Sequence, residues 1–477
     1  MPTCWTDHDD RAVADLVAAV CADPLGQVSP SVYETARLLA SAPWLDGHAE
    51  RLEFVLTAQN ADGSWGAPDG YEFVPTLSAV EALSAVLRRE EAADPEPVRR
   101  AVERGMAVLR QPRLSIPDTI AVELVVPWLA GSIGVDLPGN LDYRMLMGLR
   151  SRVRSGQPIP EKAWHSLEAL GGDALRAAVV RPVNGIVCGS AAATAAWLGE
   201  RTEHEAVAVL EHLQSLDKGA VRGISCINVF EPAWVVALLA DAGLTVSGLT
   251  ERLTAAVGPS GAPAGTGLPA DSDDTAGVLY ALAKLGAPGP VDVLWDYEGE
   301  DHFVCFPDEQ TPSTSTNAHI LDVFGAYYTG QPRIGAAIAK ITSYLAFAQA
   351  ANGSWWDKWH ASPYYATLCC AQALFRTGGR SPMVSRAVEW VLNSQRLDGS
   401  WGRWSGTAEE TAYSVLLLLL CAPENGRARQ AASWAAGFLR ATDEHPPLWH
   451  DKDLYTPIAV VRAARLAALR LISERAT

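Results

Sequence analysis

The stretch QNADGSWG at residues 59–66 returns twice, as QAANGSWW at 349–356 and as QRLDGSWG at 395–402. All three copies keep Gln, Asp or Asn, Gly, Ser and Trp in one register, and QSLDKGAV (214–221) is a candidate for a degenerate fourth copy. Each copy follows one predicted helix and precedes another, which is typical of helical hairpins that bury their apolar faces by packing on neighbours. The two groups of copies predict two helical barrels.

The rest of the chain also predicts an all-α fold. Apolar residues recur at helical spacing, and Gly and Pro separate the helical segments. With 477 residues, 48% of them hydrophobic, the chain is long enough for two domains and a large core. The net charge of −17 argues against nucleic acid and anionic membrane surfaces as partners, because both attract clustered Lys and Arg.

Three features of the sequence bear on the cell compartment. The first ten residues, MPTCWTDHDD, lack the basic and apolar regions of a signal peptide. The longest apolar run, Ala412 to Ala422 with Ser414 inside it, is too short to cross a bilayer. Eight scattered cysteines without a CxxC pair fit reduced thiols. We therefore expect a cytoplasmic protein without integral membrane association.

Three carboxylates fall within four residues of the segment LPADSDDTAGVLYALAKLG (268–286). Asp271, Asp273 and Asp274 precede an apolar helix, where Asp is favoured as a cap without any chemistry. Carboxylates this close repel one another, so the pKa of at least one should be raised. A carboxyl that stays neutral in an apolar cavity can protonate a very weak base such as an alkene. Helix capping and alkene protonation are both open at this stage.

Aromatic residues are dense in GSWWDKWHASPYYAT (353–367). Trp355, Trp359 and Tyr365 are candidates for a cavity lining whose ring faces stabilise a carbocation, and a plain hydrophobic core is the alternative. Lys358 lies among these rings. It is a candidate for binding an anionic head group, or for a surface Lys whose stem covers apolar neighbours.

These motifs resemble those of one family. DSDDTA resembles the DxDD motif of class II terpene cyclases, and the QxxDGSWG copies resemble the repeats of that superfamily. Further segments follow the order found in diterpene cyclases of the copalyl diphosphate type: SPSVYETA (29–36), TIAVELVVPWL (119–129), IPEKAWHSLEAL (159–170), CINVFEP (226–232), STSTNAHIL (313–321) and DKWHASPYYAT (357–367).

The resemblance implies a double α-barrel in which one barrel is inserted near the start of the other. Residues 1–24 and 236–477 are then expected to form the β-type barrel with the DxDD acid. Residues 25–235 are expected to form the inserted γ-type barrel with the residues of the terminal base.

The resemblance also implies roles at the acid end of the reaction. Asp273 is the expected proton donor, with Asp271 and Asp274 setting its acidity and orientation. Asn317 matches an asparagine that hydrogen-bonds the donor.

At the other end of the reaction, His165 and Asn228 match a pair that orders a water as the terminal base. A neutral imidazole and an amide can hold one water against the final carbocation. Lys358 and Arg150 match basic positions expected to bind the diphosphate.

Magnesium is the expected cofactor, as the partner of the diphosphate. The acidic cluster that family members carry for it is replaced here by RQPRLSIPD (110–118), with only Asp118 and Glu123 nearby. We therefore expect Mg²⁺ without being able to name its ligands.

The reaction expected from the resemblance begins with protonation of an alkene. The chain contains no DDxxD motif, so the diphosphate should be retained. The expected activity is that of an isomerase (intramolecular lyase) that converts geranylgeranyl diphosphate into a bicyclic diphosphate. The His165 and Asn228 pair favours ent-copalyl diphosphate, and a downstream class I terpene synthase would take the product.

Other activities compete with this one. Halimadienyl, kolavenyl or terpentedienyl diphosphate would arise by the same type of reaction. A triterpene cyclase of the squalene type would share DxDD and the repeats, and a non-catalytic α/α barrel would use the acids only as a cap.

Overall fold

The computed structural model describes residues 4–113, 115–199, 201, 203–307, 309, 311–442 and 444–476. The all-α prediction is confirmed, since helices dominate and the strands are two-residue pairs. The helices are α1 Asp7–Ala22, α2 Val32–Ser41, α3 His48–Thr57, α4 Phe73–Arg88, α5 Pro95–Leu109, α6 Val122–Ile133, α7 Arg144–Arg154, α8 Ala191–Leu198, α9 His204–Leu216, α10 Phe230–Asp241, α11 Thr250–Ala256, α12 Ser272–Lys284, α13 Thr314–Tyr327, α14 Pro332–Ala348, α15 Pro363–Gly378, α16 Pro382–Asn393, α17 Ala408–Cys421, α18 Gly426–Ala441 and α19 Ile458–Ala476.

Four short strands and two 3₁₀ segments complete these elements. β1 (Ala262–Pro263) pairs with β2 (Ala270–Asp271), and β3 (Trp449–His450) pairs with β4 (Leu454–Tyr455), both antiparallel. The 3₁₀ segments are Glu161–Arg176 and Val291–Tyr297.

Six helices form a closed ring in the C-terminal part of the chain. α10, α12, α13, α15, α17 and α19 each pack on the next, and α19 packs back on α10. Outside them α14, α16 and α18 each bridge two neighbours of the ring. Apolar patterning explains the two layers. Almost every residue of the inner helix α17 is buried, whereas the outer helix α16 buries only Val384, Ala387, Val388 and Val391, one amphipathic face.

A second, smaller ring is built from the preceding residues. α2, α4, α6, the segment Glu161–Arg176 and α8 close on one another, with α3, α5, α7 and α9 outside. The double α-barrel is therefore confirmed.

The hydrophobic cores of the two rings are separate. The first core contains buried residues between Val13 and Val28 together with buried residues from Ile227 onward. The second core contains chiefly buried residues between Tyr33 and Ala193. Helix α10 begins before the expected boundary at residues 235 and 236 and belongs to the larger ring. The domain boundaries themselves stay a prediction.

The three repeats make the same tie between helices. In the first copy the Gln59 side-chain amide donates to Gly63 O and to Ala101 O, both at 3.0 Å. Gln349 and Gln395 repeat this pattern at the later copies. Gly63 has φ of 96°, and a Cβ there would lie 2.9 Å from Cβ of Arg104, so the position needs glycine.

The degenerate fourth copy is also a tie, with changed partners. Gln214 donates to Asp46 O at 2.6 Å and accepts from Arg51, while Gly219 has φ of 97°. A Cβ added to Gly219 would lie 2.4 Å from Cβ of Glu50.

The turn from Trp449 to Tyr455, which carries β3 and β4, joins the two rings; we call it the clasp. Its Lys452 is buried, and Nζ donates to Glu34 Oε1 at 2.6 Å and to Glu168 Oε1 at 2.8 Å. Asp453 of the same turn accepts from Ser31 Oγ at 2.6 Å. These hydrogen bonds attach the clasp to the smaller ring, and they pair the buried Lys452 with carboxylates.

Of the helices described, none has the length and apolar character needed to span a membrane.

Candidate active site

The three acids lie where strand β2 ends and helix α12 of the inner ring begins: Asp271 is the last residue of β2, and Asp273 and Asp274 are in the first turn of α12. Asp271 is the helix cap, because its Oδ1 accepts from the Asp274 N–H at 2.8 Å. Asp271 and Asp274 are buried, and Asp273 is 16% exposed at its side chain. Capping therefore accounts for Asp271 but leaves the two other carboxyls without that role.

Burial controls the charge of this cluster. Burial, together with the charge of Asp273, raises the pKa of Asp271 to about 7. Burial and the charge of Asp271 raise the pKa of Asp274 well above its ordinary value, which favours its neutral form. This is the direction that three crowded acids predict.

Asp273 is held by a residue that the sequence analysis did not select. His319 Nδ1 lies 2.8 Å from Asp273 Oδ1. Burial alone would lower the pKa of His319, but the Asp273 carboxylate outweighs it and raises this pKa well above the usual value. This contact favours the protonated form of the His319 imidazole beside Asp273. Among the described residues, no hydrogen bond reaches Asp273 Oδ2.

The expected contact between Asn317 and Asp273 is wrong. The Asn317 amide instead accepts from Phe303 N at 2.9 Å and donates to Phe303 O and Ser313 O. These bonds fix the loop that precedes α13, so Asn317 acts on the backbone, while His319 two residues later contacts the acid.

A pocket inside the larger ring shares His319 with the acid cluster. Its walls come from α10, α12, α13, α15 and α17. Near His319 the lining is aromatic, with Trp234, Tyr365 and Tyr413. Arg376 also lines the pocket, where it pairs with Asp322 at 2.7 Å and with Asp241 at 2.5 Å.

Tyr365 lies where an aromatic lining was expected. Its hydroxyl accepts from Trp234 Nε1 at 3.0 Å, and its ring lies 4.6 Å from that of Trp449 and 4.9 Å from that of His360. The rings of Trp234, Trp449 and His360 thus surround Tyr365, a setting that stabilises positive charge.

Trp355 does not line this pocket, and that expectation is wrong. Its ring is buried and Nε1 donates to Leu345 O at 2.8 Å. The other repeat tryptophans, Trp65 and Trp401, make the same bond to the carbonyl ten residues earlier, so Trp355 belongs to the repeat tie.

Trp359 lies beside Lys358 instead. The Lys358 ammonium is 4.9 Å from the Trp359 ring centroid, and the indole Nε1 is buried without a hydrogen-bond partner among the residues that the structure describes.

The two basic candidates already have protein partners. Lys358 Nζ pairs with Glu309 and donates to Thr311 O at 2.9 Å. Arg150 Nη2 donates to Ala169 O at 2.8 Å, and burial lowers its pKa. The structure does not bring Lys358 and Arg150 into contact.

His165 and Asn228 do not contact each other either, as far as the described residues go. His165 Nδ1 lies 2.7 Å from Cys188 O and Nε2 lies 2.7 Å from Asp451 Oδ1. Asn228 bonds to Thr266, both to its N–H and to its hydroxyl. Both ring nitrogens of His165 are therefore occupied, which leaves no position from which it could hold a water.

The described part of the chain holds no group of three or more His, Cys, Asp or Glu that could bind a metal ion. Asp118 and Glu123 are both exposed. Mg²⁺ often binds through one or two carboxylates and the phosphates of a substrate, so a lone carboxylate fits it better than a protein cage.

Sequence reasoning did not select three residues that contact the candidate site residues or anchor the clasp: His319, Asp451 and Lys452. His319 lies in the segment STSTNAHIL, but 46 positions separate it from Asp273 and no sequence pattern signals their contact. Asp451 and Lys452 of the clasp carried no signal, because their partners are hundreds of residues away.

Comparison with known proteins agrees with the fold. A family model described as squalene-hopene cyclase C-terminal domain matches residues 305–458. The ent-copalyl diphosphate synthase of Streptomyces sp. (strain KO-3988) is 47% identical, over 96% of this chain and 95% of the relative. The terpentedienyl-diphosphate synthase of Kitasatospora griseola is 36% identical, over 92% and 96%.

A solved structure is similar over its whole length. The ent-copalyl diphosphate synthase from Streptomyces platensis superposes with a TM-score of 0.93 at 45% identity, covering 98% of this chain and 99% of that chain. The fold and the relatives define a class II diterpene cyclase, an isomerase-type enzyme. Within that class, the chain belongs to the copalyl diphosphate synthase family.

Proposed function

We propose that this protein cyclises geranylgeranyl diphosphate to a copalyl-type diphosphate, with ent-copalyl diphosphate as the favoured product and the diphosphate retained. The observation that carries the proposal is the environment of Asp273. One carboxyl oxygen is bound to His319, the neighbouring acids are buried, and His319 also lines an aromatic pocket.

The hydrogen bond decides which oxygen of Asp273 carries the proton. His319 donates to Oδ1, so a transferable proton must be on Oδ2. When that proton moves to the terminal alkene, the remaining carboxylate is stabilised by the imidazolium beside it. Burial raises the pKa of Asp271 to about 7 and the pKa of Asp274 well above its ordinary value, which favours their neutral forms, so they oppose this anion less than two ionised carboxylates would.

The carbon chain then closes two rings without any leaving group. Internal alkenes attack the cation in turn, and the faces of Trp234, Tyr365 and Tyr413 stabilise positive charge during these steps. An apolar pocket excludes bulk water, which would otherwise trap the cation. A proton is finally lost to form the product alkene.

The diphosphate site is proposed by chemistry alone. Lys358 can exchange its bond to Glu309 for one to a phosphate oxygen, and Arg150 is a further candidate. Mg²⁺ would supply charge neutralisation for the phosphate oxygens, with Asp118 or Glu123 as carboxylate ligands. A cytoplasmic location and a class I synthase that consumes the product complete the proposal.

The test is incubation with geranylgeranyl diphosphate and Mg²⁺, followed by enzymatic dephosphorylation and mass spectrometry against chiral standards. We expect a bicyclic alcohol derived from ent-copalyl diphosphate and no free pyrophosphate. A terpentedienyl-type skeleton would correct the product within the same class. Accumulation of pyrophosphate, or a preference for squalene, would refute the proposal.

A further inference from the structure

The hydrogen bonds of His165 limit what its ring can do. Cys188 O is a carbonyl and can only accept, so Nδ1 must carry a proton. The other nitrogen, Nε2, shares a 2.7 Å bond with Asp451 Oδ1. Asp451 is 1% exposed and His165 is 6% exposed. The two side chains form one buried unit.

One oxygen of this unit has no hydrogen bond to a described residue, wherever the shared proton lies. If the proton is on Nε2, the ring is an imidazolium and the carboxylate accepts. If it is on Oδ1, Nε2 accepts and the ring is neutral. In both cases neither ring nitrogen can accept another proton. The atom that remains is Asp451 Oδ2, which is buried and has no hydrogen-bond partner among the described residues.

Two further buried hydroxyls without a hydrogen-bond partner among the described residues lie on segments that pass Asp451. The hydroxyl of Thr119 is one, next to Ile120, whose N–H donates to Asp451 O at 3.3 Å. The hydroxyl of Ser225 is another, two residues from Gly223. A Cβ on Gly223 would lie 3.8 Å from Asp451 Oδ2. Buried polar groups normally have partners, so Oδ2 is suited to contact an ordered water or a reacting group.

The clasp holds Asp451 in place. The next residue, Lys452, is bound to Glu34, Glu168 and the Ser190 hydroxyl, all buried. The buried Lys452 is therefore paired with two carboxylates, which anchors the turn beside Asp451.

We propose that Asp451 Oδ2, rather than the ring of His165, receives the proton that ends the reaction, and that His165 is the residue that positions it. The inference rests on the proposed function. The C–H electron pair next to the final cationic carbon becomes the new double bond. The proton passes to Oδ2, directly or through one water, and the carboxylate becomes a carboxylic acid that returns the proton to solvent after product release.

The decisive variant is Asp451→Asn, assayed with geranylgeranyl diphosphate and Mg²⁺. The amide still accepts from His165 but is not a base. Total bicyclic diphosphate should stay within about tenfold of wild type because Asp273 is unchanged, while the ratio of alkene to hydroxylated product falls at least about 20-fold as water adds to the cation. The matched control is Asp453→Asn in the same turn, bonded to Ser31 and the Tyr33 N–H, which should leave the ratio within about twofold.

A second variant keeps the inference testable if Asp451→Asn fails to fold. His165→Gln retains the Asp451 carboxylate and an amide that can donate to it, but no imidazole. We expect slower turnover with alkene still the main product. Alcohol from this variant, or an unchanged ratio in folded Asp451→Asn, would overturn the assignment. If wild type forms no bicyclic diphosphate at all, the proposed function fails, and that result is read before any variant is compared.

Discussion

Two segments of this chain have the same pattern of acids at the start of a helix. Asp7–Asp10 reads DHDD and opens α1, and Asp271–Asp274 reads DSDD and opens α12. In the first, Arg440 contacts Asp9 at 3.1 Å, while Asp7 and Asp10 are exposed. In the second, two of three acids are buried, and the cation that contacts the third is a histidine.

The environments give opposite charge behaviour. Although burial works against it, hydrogen bonds from Arg440 and Thr6 lower the pKa of Asp9. Burial raises the pKa of Asp271 and of Asp274. A DxDD pattern therefore produces an ion-paired acid with a lowered pKa in one place and buried acids with raised pKa values in the other. Chemistry depends on the burial around the motif and on the partner of its middle acid.

The largest expected contrast is in activity. Asp273→Asn should lower cyclisation by at least about 10³-fold, because the amide can still accept from His319 but has no proton to transfer. Asp9→Asn, at the equivalent position of DHDD, should change the rate by less than about threefold. Product formation under single-turnover conditions measures both. A similar loss in the two variants would mean that folding, rather than proton donation, is being measured.

The variant His319→Gln tests the role of the residue that contacts Asp273. We expect a loss of about 10- to 100-fold in rate with the same product, since an amide donates to Asp273 without the charge that stabilises its carboxylate. The imidazolium is lost as pH rises through its raised pKa, so the wild-type rate should fall at alkaline pH and the variant should lack that fall. Equal pH profiles in wild type and variant would show that the charge of His319 does not assist proton donation by Asp273.

Protein stability should respond to pH with opposite sign at the two segments. The folded pKa of Asp271 is about 7 against an ordinary value of 3.8, so its contribution is full below 3.8 and is lost as pH rises to about 7. Asp271→Asn should flatten the melting temperature over that range. Asp9 contributes above its ordinary pKa and loses this contribution as pH falls through its lowered folded value. Melting curves of Asp271→Asn and Asp9→Asn that shift in the same direction would contradict this.

The smallest effect is expected at the outer cap. Asp9→Asn at neutral pH should lower the free energy of unfolding by about 1–3 kcal/mol, because the charged hydrogen bonds from Arg440 and the bonds to Thr6 are weakened. Chemical denaturation measures it. Asp10→Asn is the control, since this exposed residue bonds only to Trp5 among the described residues. An equal loss in both variants would show that helix charge, and not Arg440, matters.

The double barrel was predictable because its signal is local. Each repeat places Gln, Gly and Trp within seven residues, and the ties that they make follow from that spacing. The error over Trp355 was avoidable, since it occupies the register position of Trp65.

The contact of His319 with Asp273 could not be predicted in the same way. Residues 317 and 319 lie about 200° apart around a helix, so only one can face the acid, and the packing of α13 on α12 decides which. The bond between His165 and Asp451 spans 286 residues, and no pattern in either segment indicates it.

The account's central claim is that Asp273 gives a solvent-exchangeable proton to an alkene while the diphosphate stays in place. Its most direct test is turnover of geranylgeranyl diphosphate by the wild-type protein in D₂O, with mass spectrometry of the product and an assay for pyrophosphate. The account predicts one deuterium on a ring carbon of the bicyclic diphosphate and no released pyrophosphate. A product without deuterium, or pyrophosphate formed in step with it, would contradict the claim.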